Sequence, residues 1–168
     1  MNFPWYESQL VGVVVGATLG FLFSFIPNRF VERRKVKVLT RALKAEVDLI
    51  VREKAERIPI YENYLNTLAS GGPCSIYSSG RASDSVYQAN TGSIGSLPKD
   101  IVNDLVTFYH NVEQFQTRIG AIQSVLDNYN KGGDATLDRN FIINTFKKTI
   151  GIMEEIVQLG KTLSAKLK

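Results

Sequence analysis

The chain carries one histidine, His110, and one cysteine, Cys74. Neither can build an imidazole or thiolate metal cage alone, so no metal or other cofactor is expected. A lone cysteine also excludes an internal disulfide and suits a reducing compartment. His110 and Glu113 stand three apart at helical spacing, and Asp100 and Asp104 four apart. As general acid–base pairs they lack a nucleophile or a third orienting group, so both read as solvated helix edges. Gly160-Lys161-Thr162 has the ending of a phosphate loop without the upstream glycine, and it falls inside a helical pattern. No catalytic residue is assigned, and a non-enzymatic role is expected.

What must position these residues is helical throughout. From Leu10 to Ile26 there are 17 residues without a charge, at the short end of what crosses a hydrocarbon core. Trp5 and Tyr6 precede the run as interfacial rings, and Glu7 is the one charge before it, unlike a cleaved signal peptide. Arg29, Arg33, Arg34, Lys35, Lys37, Arg41 and Lys44 follow, against the single acid Glu32. Positive flanks stay cytoplasmic, so the sequence predicts an inner-membrane, single-pass chain with its N-terminus outside. Arg29, Arg33, Arg34, Lys35 and Lys37 are assigned to the membrane surface. Nucleic acid is not an expected partner, because no aromatic stacking platform accompanies the basic cluster. Gly12, Gly16 and Gly20 recur every four residues. They would form a smooth face on which a second copy's helix could approach closely, so the expected partners are the bilayer and the chain itself.

The expected organisation is an anchor over 1–28 and a cytosolic bundle of three or four antiparallel helices over 29–168, all-α in class. Val36, Leu39, Leu43, Val47 and Ile50 follow helical spacing up to Pro59, which is expected to interrupt the helix. From Ser70 to Ser96, 13 of 27 residues are Gly or Ser. This loop, 70–97, should lie over one end of the bundle, with a helical turn after Ser83 as cap. Tyr77, Arg81, Tyr87 and Asn90 are its candidate contacts for a cytosolic protein partner. After Leu97-Pro98, Ile101, Leu105, Phe108, Val112, Phe115, Ile119, Ile122, Leu126 and Tyr129 alternate steps of four and three, a heptad pattern. Val102, Val106, Tyr109 and Val125 widen that stripe. Gly132-Gly133 ends the helix, and Thr136 or Asp138 would cap a last one with Ile142, Phe146, Ile150, Met153 and Val157 buried.

Arg139-Asn140 followed by Asn144 resembles a degenerate form of the Arg-polar…His motif of HEPN-type ribonucleases, which are small helical bundles. Asn144 stands where that motif has its histidine and cannot serve as a general base, so nuclease activity is not expected. The run Val86-Tyr87…Asn90, Ile94-Gly95, Leu97-Pro98, Ile101-Val102 and Phe108-Tyr109 is similar to a pattern in bacterial single-span membrane proteins of unassigned role. The layout of a short anchor and a helical bundle also resembles membrane-pore accessory proteins of CRISPR and other antiphage systems. That resemblance implies a homo-oligomeric membrane effector or pore in bacterial defence. The alternative is a bitopic tether holding a soluble partner at the membrane, and a membrane-anchored HEPN-like ribonuclease is a minor third reading kept for testing.

Overall fold

The structure, a computed structural model, describes residues 5–72, 84–130 and 135–167, and of 5–12, 14–30, 128–130 and 135–138 it describes the backbone alone. It is all-helical among these residues: α1 (Trp5–Ala69), α2 (Ser85–Ala89), α3 (Thr91–Ile94), α4 (Lys99–Asn130) and α5 (Ala135–Lys166). The chain divides into two compact units between Leu39 and Thr40.

In the first unit, the backbone of the apolar run belongs to α1. Gly12, Gly16, Gly20 and the side chain of Arg29 lie outside the described side chains. Among the described residues, no helix is long and apolar enough to cross a membrane. Val13, Val31 and Val38 are exposed, as are Arg33, Arg34, Lys35 and Lys37.

The second unit is a helical bundle of α1, α4 and α5, with the short α2 and α3 laid against it. Its core is Leu43, Val47, Ile50, Tyr61 and Leu68 from α1, seven positions of the α4 heptad, and Ile142, Phe146, Met153, Ile156 and Leu163 from α5. Burial of such side chains contributes roughly 1.5–3 kcal/mol each, and this outweighs the weak helix propensity of isolated segments. The α4 stripe is buried within its own chain from Leu105 to Leu126, while Ile101 is half-buried and the Tyr129 side chain lies outside those described. Val106, expected to widen the stripe, is instead 51% exposed. On α5, Ile156 takes the core place expected of Val157.

Helix pairing departs from a fully antiparallel bundle. Lys166 meets Asp104 and Asn111 meets Glu155, so α4 and α5 run antiparallel. Glu46 meets Tyr109 and Lys54 meets Phe115, so α1 and α4 run parallel. A parallel pair cannot be joined by a tight turn, and 29 residues separate Ala69 from Lys99. Val86 docks at the level of Glu46, which along α1 lies about 35 Å from Ala69 at 1.5 Å per helical residue.

Pro59 does not interrupt α1, contrary to expectation. The missing amide hydrogen bond costs about 3 kcal/mol, but Tyr61 and Leu68 continue the buried stripe beyond it. Tyr61 packs its ring at 6.2 Å from Phe115 and 5.8 Å from Phe146, which holds the last turns in register. The helix ends in a hydrogen-bonded turn, with Gly71 N–H to Leu68 O and Gly72 N–H to Thr67 O. Gly71 has φ +87°, the left-handed conformation that ends helices and that glycine adopts without strain.

One buried group conflicts with the core around it. Lys54, its side chain 1% exposed, lies 3.5 Å from Glu53 Oε1 and 4.1 Å from the centroid of Phe115. Burial pushes its amine below the usual lysine range, against the opposing pull of Glu53. The unfolded chain therefore binds more protons than the folded one between that lowered value and 10.5, and stability should rise with pH through this window. Replacing a buried charge by a hydrophobe of like volume often stabilises, so Lys54→Met should add about 1–2 kcal/mol at neutral pH. Thermal melts of both chains at neutral and alkaline pH check this. An unchanged or lower melting point in the variant would show that the Phe115 and Glu53 contacts outweigh desolvation.

Candidate functional site

The most constrained polar group of the bundle is Glu46. It sits on the buried face of α1 among Leu43, Val47 and Ile50, and is itself buried. Its carboxylate accepts three hydrogen bonds: from Val86 N–H at 2.7 Å, Tyr87 N–H at 3.1 Å and the Tyr109 hydroxyl at 2.5 Å. Helix α2 begins after Asp84, whose side chain makes no capping bond. Val86 and Tyr87 are the second and third residues of that helix, whose N–H groups an N-cap side chain ordinarily satisfies. Glu46 performs that task from another helix. Burial, the Glu46 hydrogen bond and its charge together push the Tyr109 hydroxyl far above the usual tyrosine range, so it stays a donor.

Around this carboxylate the segment 84–97 forms a strap. Tyr87 stacks on Tyr109 with ring centroids 3.9 Å apart and planes 18° from parallel. Asn90 Nδ2 donates to Val86 O at 2.7 Å, and Ile94 and Leu97 are buried. Of the loop residues singled out from sequence, Tyr87 and Asn90 therefore serve to dock the strap, while Tyr77 and Arg81 lie outside the described residues. So does Ser83, and the cap position is Asp84.

Two depressions adjoin along the outer side of α4. One, of about 490 Å³, lies between the strap and α4 and is lined by Asp84, Tyr87, Gln88, Val106, Tyr109, His110, Glu113 and Gln116. The other, of about 800 Å³, lies between α4 and α5. His110, Glu113, Gln114, Thr117, Arg118, Ala121, Phe141, Asn144, Thr145 and Lys148 line it. His110 and Glu113 belong to both. His110 is exposed and its Nε2 is 2.8 Å from Gln114 Nε2. Phe141 is 50% exposed on the rim. The smaller depression is lined mainly by polar surface and the larger mainly by apolar surface, a mixture suited to recognition.

The two halves of the ribonuclease-like fragment are separated in role. Asn144 lines the larger depression. Arg139 turns to the end of α1, where Nε donates to Leu68 O at 2.9 Å and Nη2 to Ala69 O at 2.8 Å. The guanidinium thus completes the hydrogen bonding of the last α1 carbonyls, Leu68 O also accepting from Gly71 N–H. Gly160, from the phosphate-loop-like fragment, is buried where a Cβ would stand 2.2 Å from Val51 and 2.8 Å from Phe108. It is a packing glycine between three helices.

The structure also joins residues that sequence spacing left apart. Lys44 Nζ donates to Ser164 Oγ at 2.5 Å and to Asp48 at 3.0 Å, and Ser164 Oγ donates to Asp48 at 2.5 Å. Burial alone would raise the Asp48 carboxyl, but Ser164 and Lys44 hold it below the usual range. A serine beside a charged lysine is not activated, since the amine has no free pair to take the proton. Lys166 likewise bridges Asp104 at 2.6 Å and Asp100 at 4.0 Å, which assigns that acidic pair to the junction of α4 and α5. Its amine is raised by the Asp104 hydrogen bond and both charges.

No protein family, characterised protein or solved structure matches the chain.

Proposed function

We propose that the chain is a non-enzymatic, single-span inner-membrane protein that assembles with copies of itself and acts as a membrane effector. Its apolar helix would be the anchor, with the N-terminus outside and the bundle cytoplasmic. A sufficiently wide ring would act as a pore, and bacterial antiphage defence is the setting that the resemblance suggests. The observation carrying this reading is that the α4 stripe from Leu105 to Leu126 is already buried inside its own bundle. The strongest apolar pattern of the bundle is thus spent internally. Assembly then falls to the anchor, where Gly12, Gly16 and Gly20 permit close approach of backbones.

A leucine at Gly16 would hold two such helices apart. Contacts of this kind contribute on the order of 1 kcal/mol each, so loss of the whole face should reduce the oligomer markedly. Light-scattering mass of the full chain in detergent should fall for Gly16→Leu while helicity and melting of the bundle stay unchanged. Undiminished assembly would sink the glycine-face reading and favour the tether. That second reading is supported by the paired depressions on α4, with Phe141 and Val106 exposed beside them.

A further inference from the structure

We infer that the helical stretch from Val31 to Val38 is a binding surface for anionic phospholipid, its arginines and lysines taking the headgroup phosphates. The inference rests on the membrane reading and adds a lipid class to it.

Val31, Arg34, Lys35 and Val38 fall within about 100° of helix circumference and so share one face. All four are exposed, with Val31 at 50% and Val38 at 66%. Arg33 and Lys37 flank that face and are also exposed. Ion pairs among the described residues join other side chains, and none involves Arg33, Arg34, Lys35 or Lys37. Glu32, the single acid in this stretch, points to the side of the helix occupied by Leu39. Apolar points interleaved with unpaired cations fit a surface that is oily beneath and negative above. A protein partner would need matching acids at every cation, whereas a layer of phosphates needs no register.

Length places the stretch at the required depth. The apolar run from Leu10 to Ile26, 17 residues, spans about 25 Å, short of a hydrocarbon core of about 30 Å. A short span draws its flanks toward the bilayer, and long basic side chains carry their charge outward to phosphate level. Val31 then meets the hydrocarbon boundary and the four cations meet the headgroups. Each basic residue held there favours an anionic over a neutral lipid by about fivefold.

The test uses the full chain in detergent containing equal phosphatidylcholine and phosphatidylglycerol, repurified before its retained lipid is measured. Wild type should retain phosphatidylglycerol over phosphatidylcholine by at least about fivefold. The variant R33Q/R34Q/K35Q/K37Q should retain the two equally, and high salt should erase the wild-type preference. Equal retention by wild type overturns this inference and leaves the anchor standing. Retention of neither lipid likewise overturns this inference. Loss of the preference on adding inorganic phosphate at constant ionic strength would assign the site to soluble phosphate and overturn the lipid assignment.

Discussion

Gly160→Leu should destabilise the bundle by about 3 kcal/mol or more, the largest effect expected of a single substitution here. At Gly160 the three long helices approach so closely that even a methyl group has no room, with Val51 Cγ2 at 2.2 Å and Phe108 Cε2 at 2.8 Å from an ideal Cβ. Phe108 is fully buried and cannot swing away, and the branched Val51 has few rotamers to offer. Leucine must therefore push α1 or α4 outward, loosening contacts along both. Alanine is the instructive intermediate. It gains about 1 kcal/mol of helix propensity but still needs Val51 to move. Chemical unfolding of Gly160→Leu, Gly160→Ala and Gly160→Ala/Val51→Ala gives the ranking. The double variant should recover part of any loss in Gly160→Ala, since Phe108 still stands 2.8 Å from the added methyl. A Gly160→Leu chain as stable as wild type would mean that the three helices do not meet there.

Glu46→Ala should cost about 3 kcal/mol and release the strap. Removing the carboxylate leaves the Tyr109 hydroxyl and two amide donors without an acceptor, and each buried unsatisfied group costs about 1–3 kcal/mol. Lifting the strap into water rehydrates the two amides but exposes Ile94 and Leu97, so neither outcome is cheap. Hydrogen exchange distinguishes local from global effects. Amides of Val86 to Leu97 should exchange on the order of tenfold to a hundredfold faster than in wild type, beyond any change in the α5 core. Tyr109→Phe, which removes one of the three bonds, should cost about 1 kcal/mol and leave the strap docked. Unchanged exchange in Glu46→Ala would show that the aromatic stack and the two apolar anchors hold the strap alone.

The long helices were legible because their core faces repeat. On α4 every described heptad position from Leu105 to Leu126 is buried, and on α5 the stripe slips by one residue, to Ile156. The continuity of α1 across Pro59 was not legible, since the local rule for proline cannot register the aromatic contacts made beyond it. Glu46 and Lys54 did leave a trace. Both occupy positions where the stripe Leu43, Val47, Ile50, Tyr61 should be apolar, and a charge at such a place signals a buried partner. Which partner was not readable, because Glu46 reaches residues 40 and 63 positions away. The helix-end role of Arg139 was hidden for the same reason, its acceptors lying about 70 residues earlier. Its motif-like neighbour Asn144 drew the eye toward chemistry that the two residues do not share.

The parallel pairing of α1 with α4 sets the order in which the chain can fold. The α4–α5 hairpin closes through a short connection, so its contacts require little loop entropy and should form early. Helix α1 is made first by the ribosome, yet its partners lie far downstream, Tyr109 for Glu46, Phe115 for Lys54 and Ser164 for Lys44. Until then Glu46 and Lys54 face water, where their charges are welcome, and the same two residues keep the waiting helix from presenting an unbroken apolar stripe. Groups that look like defects in the finished core thus act, before it closes, as a guard against association with the wrong helix.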